Sequence, residues 1–141
     1  MKEKYPKITI VDIKYANDAL KAADDIKATM QAFPNLNGIF ASNEGAAIGL
    51  AVAKKESGSK IVAIGYDSGK TQKDAISDGT LHGSITQNPV GIGEWVVNSL
   101  AKALKGEKLE KIVDTGFYWY DKANRPIQRL RPFFTIDLSQ S

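Results

Sequence analysis

Apolar and polar positions along the chain recur with the periods of strands and helices in turn. The β-branched run KITIVDI, residues 7–13, follows Pro6 and predicts a first strand. Asn17 and Asp18 then offer a helix cap, and apolar residues recur three or four positions apart until Pro34. This spacing predicts a helix that ends at Pro34.

Three further apolar runs predict strands, each followed by a helical pattern. They are NGIFAS at residues 37–42, KIVAIGYD at 60–67 and LHGSITQ at 81–87. The second run is apolar throughout, which predicts a strand covered on both faces. KIVDTGFYWYD at 111–121 is a last strand candidate, and the tail after it is predicted to be irregular.

The helices between these strands have recognisable ends. The first begins at about Glu44 and ends at Gly58, with four residues expected to face inward: Ala47, Ile48, Ala51 and Val52. A short helix ends at Gly79, and a last one runs from Pro89 to Gly106. Such alternation is typical of right-handed crossovers. We therefore predict an α/β fold with a three-layer, doubly wound parallel sheet.

Composition narrows the classes of partner. The 141 residues carry a net charge of +3, with Lys, Asp and Glu interspersed. The only concentrated basic run is Arg125, Arg129 and Arg131, which we interpret as a solvated segment, so no nucleic-acid partner is expected. The absence of cysteine excludes disulfides and thiolate metal sites. No apolar run is long enough for a signal peptide or a membrane span.

Residue patterns that carry catalysis are missing. Only three residues separate Gly65 from Gly69-Lys70, whereas a phosphate-binding P-loop has four at that point. His82 is the single histidine, which excludes an imidazole zinc site, and we interpret it as a partly exposed residue at a strand end. We therefore expect a protein that is not an enzyme, with no catalytic residue, no metal and no cofactor.

Polar side chains stand where three of the predicted strands end. Asn43, Asp67 and Gln87 each follow a buried run. The carboxyl ends of parallel strands lie on one edge, about 4.8 Å apart, and open α/β sheets bind ligands there. Amides and a carboxylate suit the hydroxyl groups of a neutral polyol. The alternative is that each residue only caps the helix that follows it.

Three blocks together resemble a known family: NGIFASNEGAAIGLAVA, KIVAIGYDSGKTQKDAISDGTLHGSITQNPVGIGEWVV and LKGEK. They are similar to the C-terminal part of the periplasmic-type sugar-binding proteins of the ribose/galactose receptor family, the type I receptors of ABC transporters. The resemblance covers about residues 5–112. It implies one flavodoxin-like lobe of a two-lobed receptor that closes on a monosaccharide and delivers it to a membrane permease.

The resemblance also implies particular site residues. Asn43, Asp67 and Gln87 fall on the sugar-contacting positions of the family, the same three that the strand ends select. Near the first helix, ribose-type members have an aromatic residue that stacks on the sugar. Here Asn17 stands roughly in that place, with Tyr15 nearby as a substitute. The identity of the sugar stays open.

By the same resemblance, the chain divides into three parts. Residues 1–87 are the core of the C-terminal lobe without its first strand-helix unit, 88–110 are a hinge crossing and a helix of the other lobe, and 111–141 are a final strand and the tail. We expect about half of a receptor: an engineered piece, a proteolytic remnant or an internally initiated product. The unpaired Trp95, Val96 and Leu100 then favour a homodimer or swapped assembly.

Other functions stay open at this point. The effector domain of a LacI-type transcription repressor has the same fold, but DGTLHGSITQNP, residues 78–89, is closer to the transport receptors. A sensor module that feeds a kinase is a third possibility. For a receptor, we expect millimolar sugar binding at best by this chain, and a parent protein that is periplasmic or on the cell surface.

Overall fold

The computed structural model of the chain describes residues 3–15 and 18–124. Arg125, Arg129, Arg131 and the predicted irregular tail lie outside them. The described elements, in chain order, are α1 (Ala19–Ala32), β1 (Gly38–Phe40), α2 (Glu44–Ser57), β2 (Val62–Tyr66), α3 (Lys70–Ser77), β3 (Gly83–Gln87), α4 (Pro89–Leu104) and β4 (Phe117–Asp121).

The strands form one sheet in the order β1-β2-β3-β4. The first three strands are parallel, and helices α2 and α3 make the crossovers that parallel neighbours require. Strand β4 runs antiparallel to β3, with Ser84 opposite Tyr120. The predicted α/β class and parallel sheet are therefore confirmed, with an antiparallel strand at one edge.

Helix α2 contributes most to the core, because it packs against α1, α3 and β2. Of the residues expected to face inward, Ala47 and Ala51 are buried, but Val52 is 39% exposed. Leu50 is fully buried instead, since positions 47, 50 and 51 share one face of the helix. The prediction for Val52 is wrong.

Strand β2 is covered more completely on one face than on the other, because burial alternates along it. Ala63 and Gly65 are buried, whereas Val62 is 47% exposed. Successive side chains of a strand point to opposite faces, so an apolar run does not by itself imply burial on both. The prediction of a doubly covered strand is wrong for Val62.

Residues 7–13 do not form the predicted first strand. Ile8 and Ile13 are 51% and 66% exposed, and the backbone N–H of Ile8 bonds within a turn to the carbonyl of Tyr5. Within the described part of the chain, β1 pairs with β2 alone. A β-branched run fits a strand only where a neighbouring strand accepts its hydrogen bonds, and this run has none.

The predicted helix ends are confirmed by backbone geometry. Gly58 ends α2 with a φ of 64°, and Gly79 and Gly106 follow α3 and α4 with φ of 83° and 73°. Lys55 in the last turn of α2 bonds Asp78 after α3, with 2.6 Å between Nζ and Oδ2. This pair ties the ends of the two crossover helices together.

Helix α4 packs little against the rest of the described chain. Asn88 caps it by accepting a hydrogen bond from the Gly91 N–H at 3.0 Å, and Pro89 opens its first turn. None of its residues is buried. Its exposed apolar face, called here the α4 apolar face, consists of Trp95, Val96, Val97, Leu100 and Leu104.

Candidate functional site

Parallel registers bring the three polar strand ends to one edge of the sheet. Phe40 pairs with Ile64, and Tyr66 pairs with Ile85. Asn43 lies as many residues after Phe40 as Asp67 lies after Ile64. Gln87 is the last residue of β3, the next strand in the sheet.

Asn43 is the N-cap of α2. Its Oδ1 accepts a hydrogen bond from the Ala46 N–H at 2.9 Å, and its backbone is extended. The capping alternative is thus correct for this residue, but it uses only one side of the amide. The Nδ2 donor of this exposed side chain has no partner among the described residues. Capping therefore leaves Asn43 with an oriented donor for a ligand.

Asp67 and Gln87 are brought into direct contact. The Gln87 Nε2 donates to Asp67 Oδ1 at 3.2 Å, although 20 residues separate them along the chain. The Oε1 of Gln87 and the Oδ2 of Asp67 have no hydrogen-bond donor within the part of the chain that the structure describes. This pair therefore presents two acceptor oxygens at the edge of the sheet that also holds the Asn43 amide.

The backbone of Asp67 has an unusual conformation. Its φ of 73° is the only positive value at a non-glycine residue in the described ranges. The left-handed region costs an ordinary residue roughly 1–2 kcal/mol, although Asp tolerates it better than most. The Asp67 N–H donates to the Ile85 carbonyl at 2.7 Å, which extends the pairing of β2 with β3 beyond Tyr66.

Two buried hydroxyls bond the carbonyl oxygen of Asp67. Ser84 Oγ lies 2.9 Å from it and Tyr120 Oη lies 2.7 Å from it. Both side chains are almost fully buried. Burial, and then the nearby carboxylates of Asp67 and Glu44, raises the pKa of the Tyr120 hydroxyl, so it stays protonated as a donor at neutral pH.

A second group of oxygens lies beside this edge, around Gly69. A Cβ at Gly69 would come within 2.6 Å of Gln72 Oε1 and would also overlap the Glu44 carboxylate. The Gln72 side chain is fully buried, and its Nε2 donates to the Tyr66 carbonyl at 2.7 Å. Its Oε1 is a buried acceptor without a donor in the described chain. A Cβ at position 69 would therefore displace the ends of both side chains.

The remaining predicted site residues lie in the N-terminal region. Tyr15 is 91% exposed, so its ring has almost no packing contacts with the described residues. Asn17 lies outside the described residues. The structure thus brings Asp67 and Gln87 together, places Asn43 at the same edge, and leaves Tyr15 apart in solvent.

The sequence did not single out Ser84, Tyr120, Gln72 or Glu44 as parts of this edge. For Ser84, a signal was present: a polar residue in the middle of the apolar GSIT run. Gly65 was a second signal, because a Cβ there would lie 3.2 Å from Ser84 Oγ. Nothing in the aromatic run of β4 distinguishes Tyr120 from Tyr118 before the register is known.

Residues 3–15 and 18–124 contain neither a metal-binding cluster nor a membrane-spanning helix. No group of three or more His, Asp or Glu side chains there is arranged to hold a metal ion. None of the helices in these ranges has the length and apolarity needed to cross a bilayer. His82 is exposed, and its backbone N–H donates to the Ala63 carbonyl at 2.8 Å.

A parallel α/β sheet with polar side chains beyond the strand carboxyl ends defines a class, the ligand-binding α/β lobe. Residues 1–108 match the family model described as periplasmic binding protein domain. The chain belongs to this family, and the resemblance found in its sequence is confirmed.

Curated relatives of the chain include ribose import binding proteins. The chain is 32% identical over 94 residues to the ribose import binding protein RbsB of Escherichia coli, covering 66% of this chain and 32% of that protein. It is 29% identical over 96 residues to RbsB of Bacillus subtilis, covering 68% and 32%. The chain thus spans about a third of the length of these relatives.

Solved structures agree with the fold. An ABC transporter solute-binding protein from Agrobacterium vitis with bound D-fucose matches with a TM-score of 0.77 and 36% identity, covering 84% of this chain and 42% of that one. A carbohydrate transporter solute-binding protein from Agrobacterium radiobacter, in complex with D-arabinose, matches with a TM-score of 0.79 and 33% identity, covering 87% and 43%. The type I periplasmic binding protein architecture is thereby confirmed for this chain.

Proposed function

We propose that this chain is the sugar-binding part of a receptor for ABC-transporter uptake, and that it binds a monosaccharide without transforming it. The observation that carries the proposal is the contact of Gln87 Nε2 with Asp67 Oδ1 at the strand edge that also holds Asn43. Sugar-binding relatives of the same fold support it.

The chemistry of the edge suits a sugar hydroxyl. Asn43 offers an oriented donor, and the Asp67–Gln87 pair offers acceptor oxygens. Each hydroxyl of a sugar gives one hydrogen bond and accepts others, so donors and acceptors side by side match it. A phosphate suits the edge less well, because the Asp67 carboxylate repels it. Tyr15 and Asn17 are proposed as further sugar contacts on the resemblance alone.

The affinity of this chain by itself is expected to be millimolar at best. A receptor that closes on its ligand forms hydrogen bonds from two lobes, and this chain spans 42–43% of the solved receptors it matches. Each neutral hydrogen bond contributes about 0.5–1.5 kcal/mol net, so several missing bonds lower affinity by orders of magnitude. A micromolar complex of the isolated monomer would contradict this expectation.

The wider setting of the receptor is part of the proposal. On the family resemblance, we propose a division at residues 1–87, 88–110 and 111–141, a membrane permease as partner, and a periplasmic or cell-surface parent protein. The α4 apolar face is proposed to associate with a second copy as a homodimer or swapped assembly, since exposed apolar patches favour association. The similarity to ribose-import proteins gives no support to a LacI-type repressor.

An amide NMR titration of the labelled chain with D-ribose, D-fucose and D-arabinose tests the proposal, because it detects millimolar binding. We expect shifts that cluster at Asn43, Asp67 and Gln87 for at least one sugar. Asn98→Asp, a change of an exposed amide on α4, is the matched control and should bind as the wild type does. A folded protein in which none of the three sugars shifts these residues would favour helix capping over sugar binding as their role in this chain.

A further inference from the structure

Strand β4 reaches the candidate site through the backbone of Asp67. Ser84 and Tyr120 are cross-strand partners of β3 and β4, and both of their hydroxyls bond the same Asp67 carbonyl oxygen, at 2.9 and 2.7 Å. Cross-strand partners project to the same face of a sheet, so the pairing itself brings the two donors together. Asp67, the residue that follows β2, supplies the acceptor.

The hydrogen bonds from the Ser84 and Tyr120 hydroxyls and the left-handed backbone conformation of Asp67 depend on one another. Ser84 is 0% and Tyr120 1% exposed, so neither has solvent as an alternative acceptor. If Asp67 relaxed from its φ of 73°, its carbonyl would turn away. Both buried hydroxyl donors would then lose this acceptor. The pair therefore opposes relaxation of a conformation that Asp does not favour by itself.

We propose that Tyr120, together with Ser84, is a positioning residue that holds Asp67 with its carboxylate beside Gln87 at the sugar-binding edge. This inference rests on the proposed function only in naming a sugar as the ligand. The positioning of Asp67 itself concerns the free protein. It assigns a role in the site to β4, which begins at Phe117, beyond the 1–108 match to the family.

Tyr120→Phe tests the positioning directly in the full chain without ligand. The change removes the hydroxyl and keeps the ring. Tyr118→Phe is the matched control, because Tyr118 lies on the same strand and its hydroxyl has no hydrogen bond in the described chain. We expect the φ-sensitive three-bond couplings of Asp67 to change in Tyr120→Phe and to stay at wild-type values in Tyr118→Phe. Unchanged couplings in a folded Tyr120→Phe would overturn the proposal.

Ser84→Ala and Asp67→Gly provide two further tests of the positioning if Tyr120→Phe folds poorly. Ser84→Ala removes the other donor and should shift the same couplings. Glycine adopts positive φ freely and has no backbone strain to release, so Tyr120→Phe should lower the melting temperature more in an Asp67→Gly background than in the wild type, where Asp67 can relax. Equal losses in both backgrounds would show that Tyr120 does not act through the Asp67 conformation.

Titration with D-ribose separates this proposal from the proposed function. If the wild type binds, Tyr120→Phe should weaken its affinity about fivefold, the equivalent of one ordinary hydrogen bond, and Tyr118→Phe should not. Wild-type affinity in Tyr120→Phe would overturn the link between positioning and binding. If D-ribose shifts no edge residue of the wild type, the proposed function fails for that sugar, while the couplings of the free protein still decide the positioning.

Discussion

Gln87, the last residue of β3, donates a hydrogen bond from Nε2 to Oδ1 of Asp67, the residue that follows β2, at 3.2 Å. The contact joins the ends of two neighbouring parallel strands at the edge where a ligand would lie. It fixes the direction of both planar groups, so that their remaining oxygens point away from the bond between them.

Gln87→Leu should abolish the sugar-induced shifts and leave the fold intact. The leucine has a similar size but removes both the bond to Asp67 and the free amide oxygen. Because Gln87 is exposed, the free energy of unfolding should change by less than about 0.5 kcal/mol. Gln31→Leu, at another exposed glutamine, is the control for both the NMR titration and the thermal melt. Full sugar binding by Gln87→Leu would remove Gln87 from the site.

Two substitutions at Asn43 separate capping from ligand binding. Asn43→Ala removes the bond to the Ala46 N–H and should cost about 1 kcal/mol of stability. Asn43→Asp keeps the capping oxygen, so its stability should stay within about 0.5 kcal/mol of the wild type. Both variants lack the Nδ2 donor and should lose sugar binding in the NMR titration. If Asn43→Asp binds sugar as the wild type does, Asn43 acts only as a cap.

Gly69→Ala should destabilise the protein by about 1–3 kcal/mol, because the new Cβ would meet Oε1 of the fully buried Gln72, whereas the exposed Glu44 carboxylate can turn away. The φ of Gly69 is −61°, so alanine suffers no backbone strain, but Gly69 is also the N-cap of α3, where alanine is less favourable than glycine. Gly93→Ala has nothing within 4 Å and lies inside α4, where it should stabilise by about 0.5–1 kcal/mol. Denaturant unfolding measures both, and a Gly69→Ala as stable as the wild type would contradict the collision.

Asp78→Asn should reduce stability at neutral pH but not in strong acid. The hydrogen bonds from Lys55, first, and then from Thr80 lower the pKa of Asp78 from 3.8 to about 2. A carboxyl with a depressed folded-state pKa stabilises the fold above pH 3.8, and this contribution disappears as the pH falls through about 2.

Because the pair is at the surface, the loss at pH 7 should be at most about 1 kcal/mol. Unfolding curves of wild type and Asp78→Asn should therefore converge between pH 4 and pH 2. Asp24→Asn, at a carboxylate with 82% exposure, is the comparison at the surface of α1. A difference that persists unchanged to pH 2 would contradict this account.

Leu100→Lys should shift the protein towards monomer. Leu100 is 60% exposed at the centre of the α4 apolar face, and a charge there opposes the burial of that face against a second copy. Val52→Lys, at an apolar residue of α2 with 39% exposure, is the control. Sedimentation velocity over a range of concentrations measures the change. A wild type that stays monomeric at all concentrations would refute the association.

The periodicity of the sequence determined the α/β class, the helix ends at Gly58, Gly79 and Gly106, and the polar residues at the carboxyl end of each parallel strand. These features depend on local rules: backbone freedom at glycine, and the meeting of parallel strand ends at one edge. The resemblance to sugar receptors rested on the same local blocks, and the family match confirms it.

Features that depend on neighbours were decided only by the tertiary structure. KITIVDI has the composition of a strand, but no described strand pairs with it. The antiparallel direction of β4 was likewise absent from the sequence pattern, since a run of aromatic residues fits either direction. That direction places Tyr120 opposite Ser84, and so brings two hydroxyls to the Asp67 carbonyl from positions 36 residues apart in the chain. Composition cannot encode such a contact locally, because it exists only when the register of three strands is fixed.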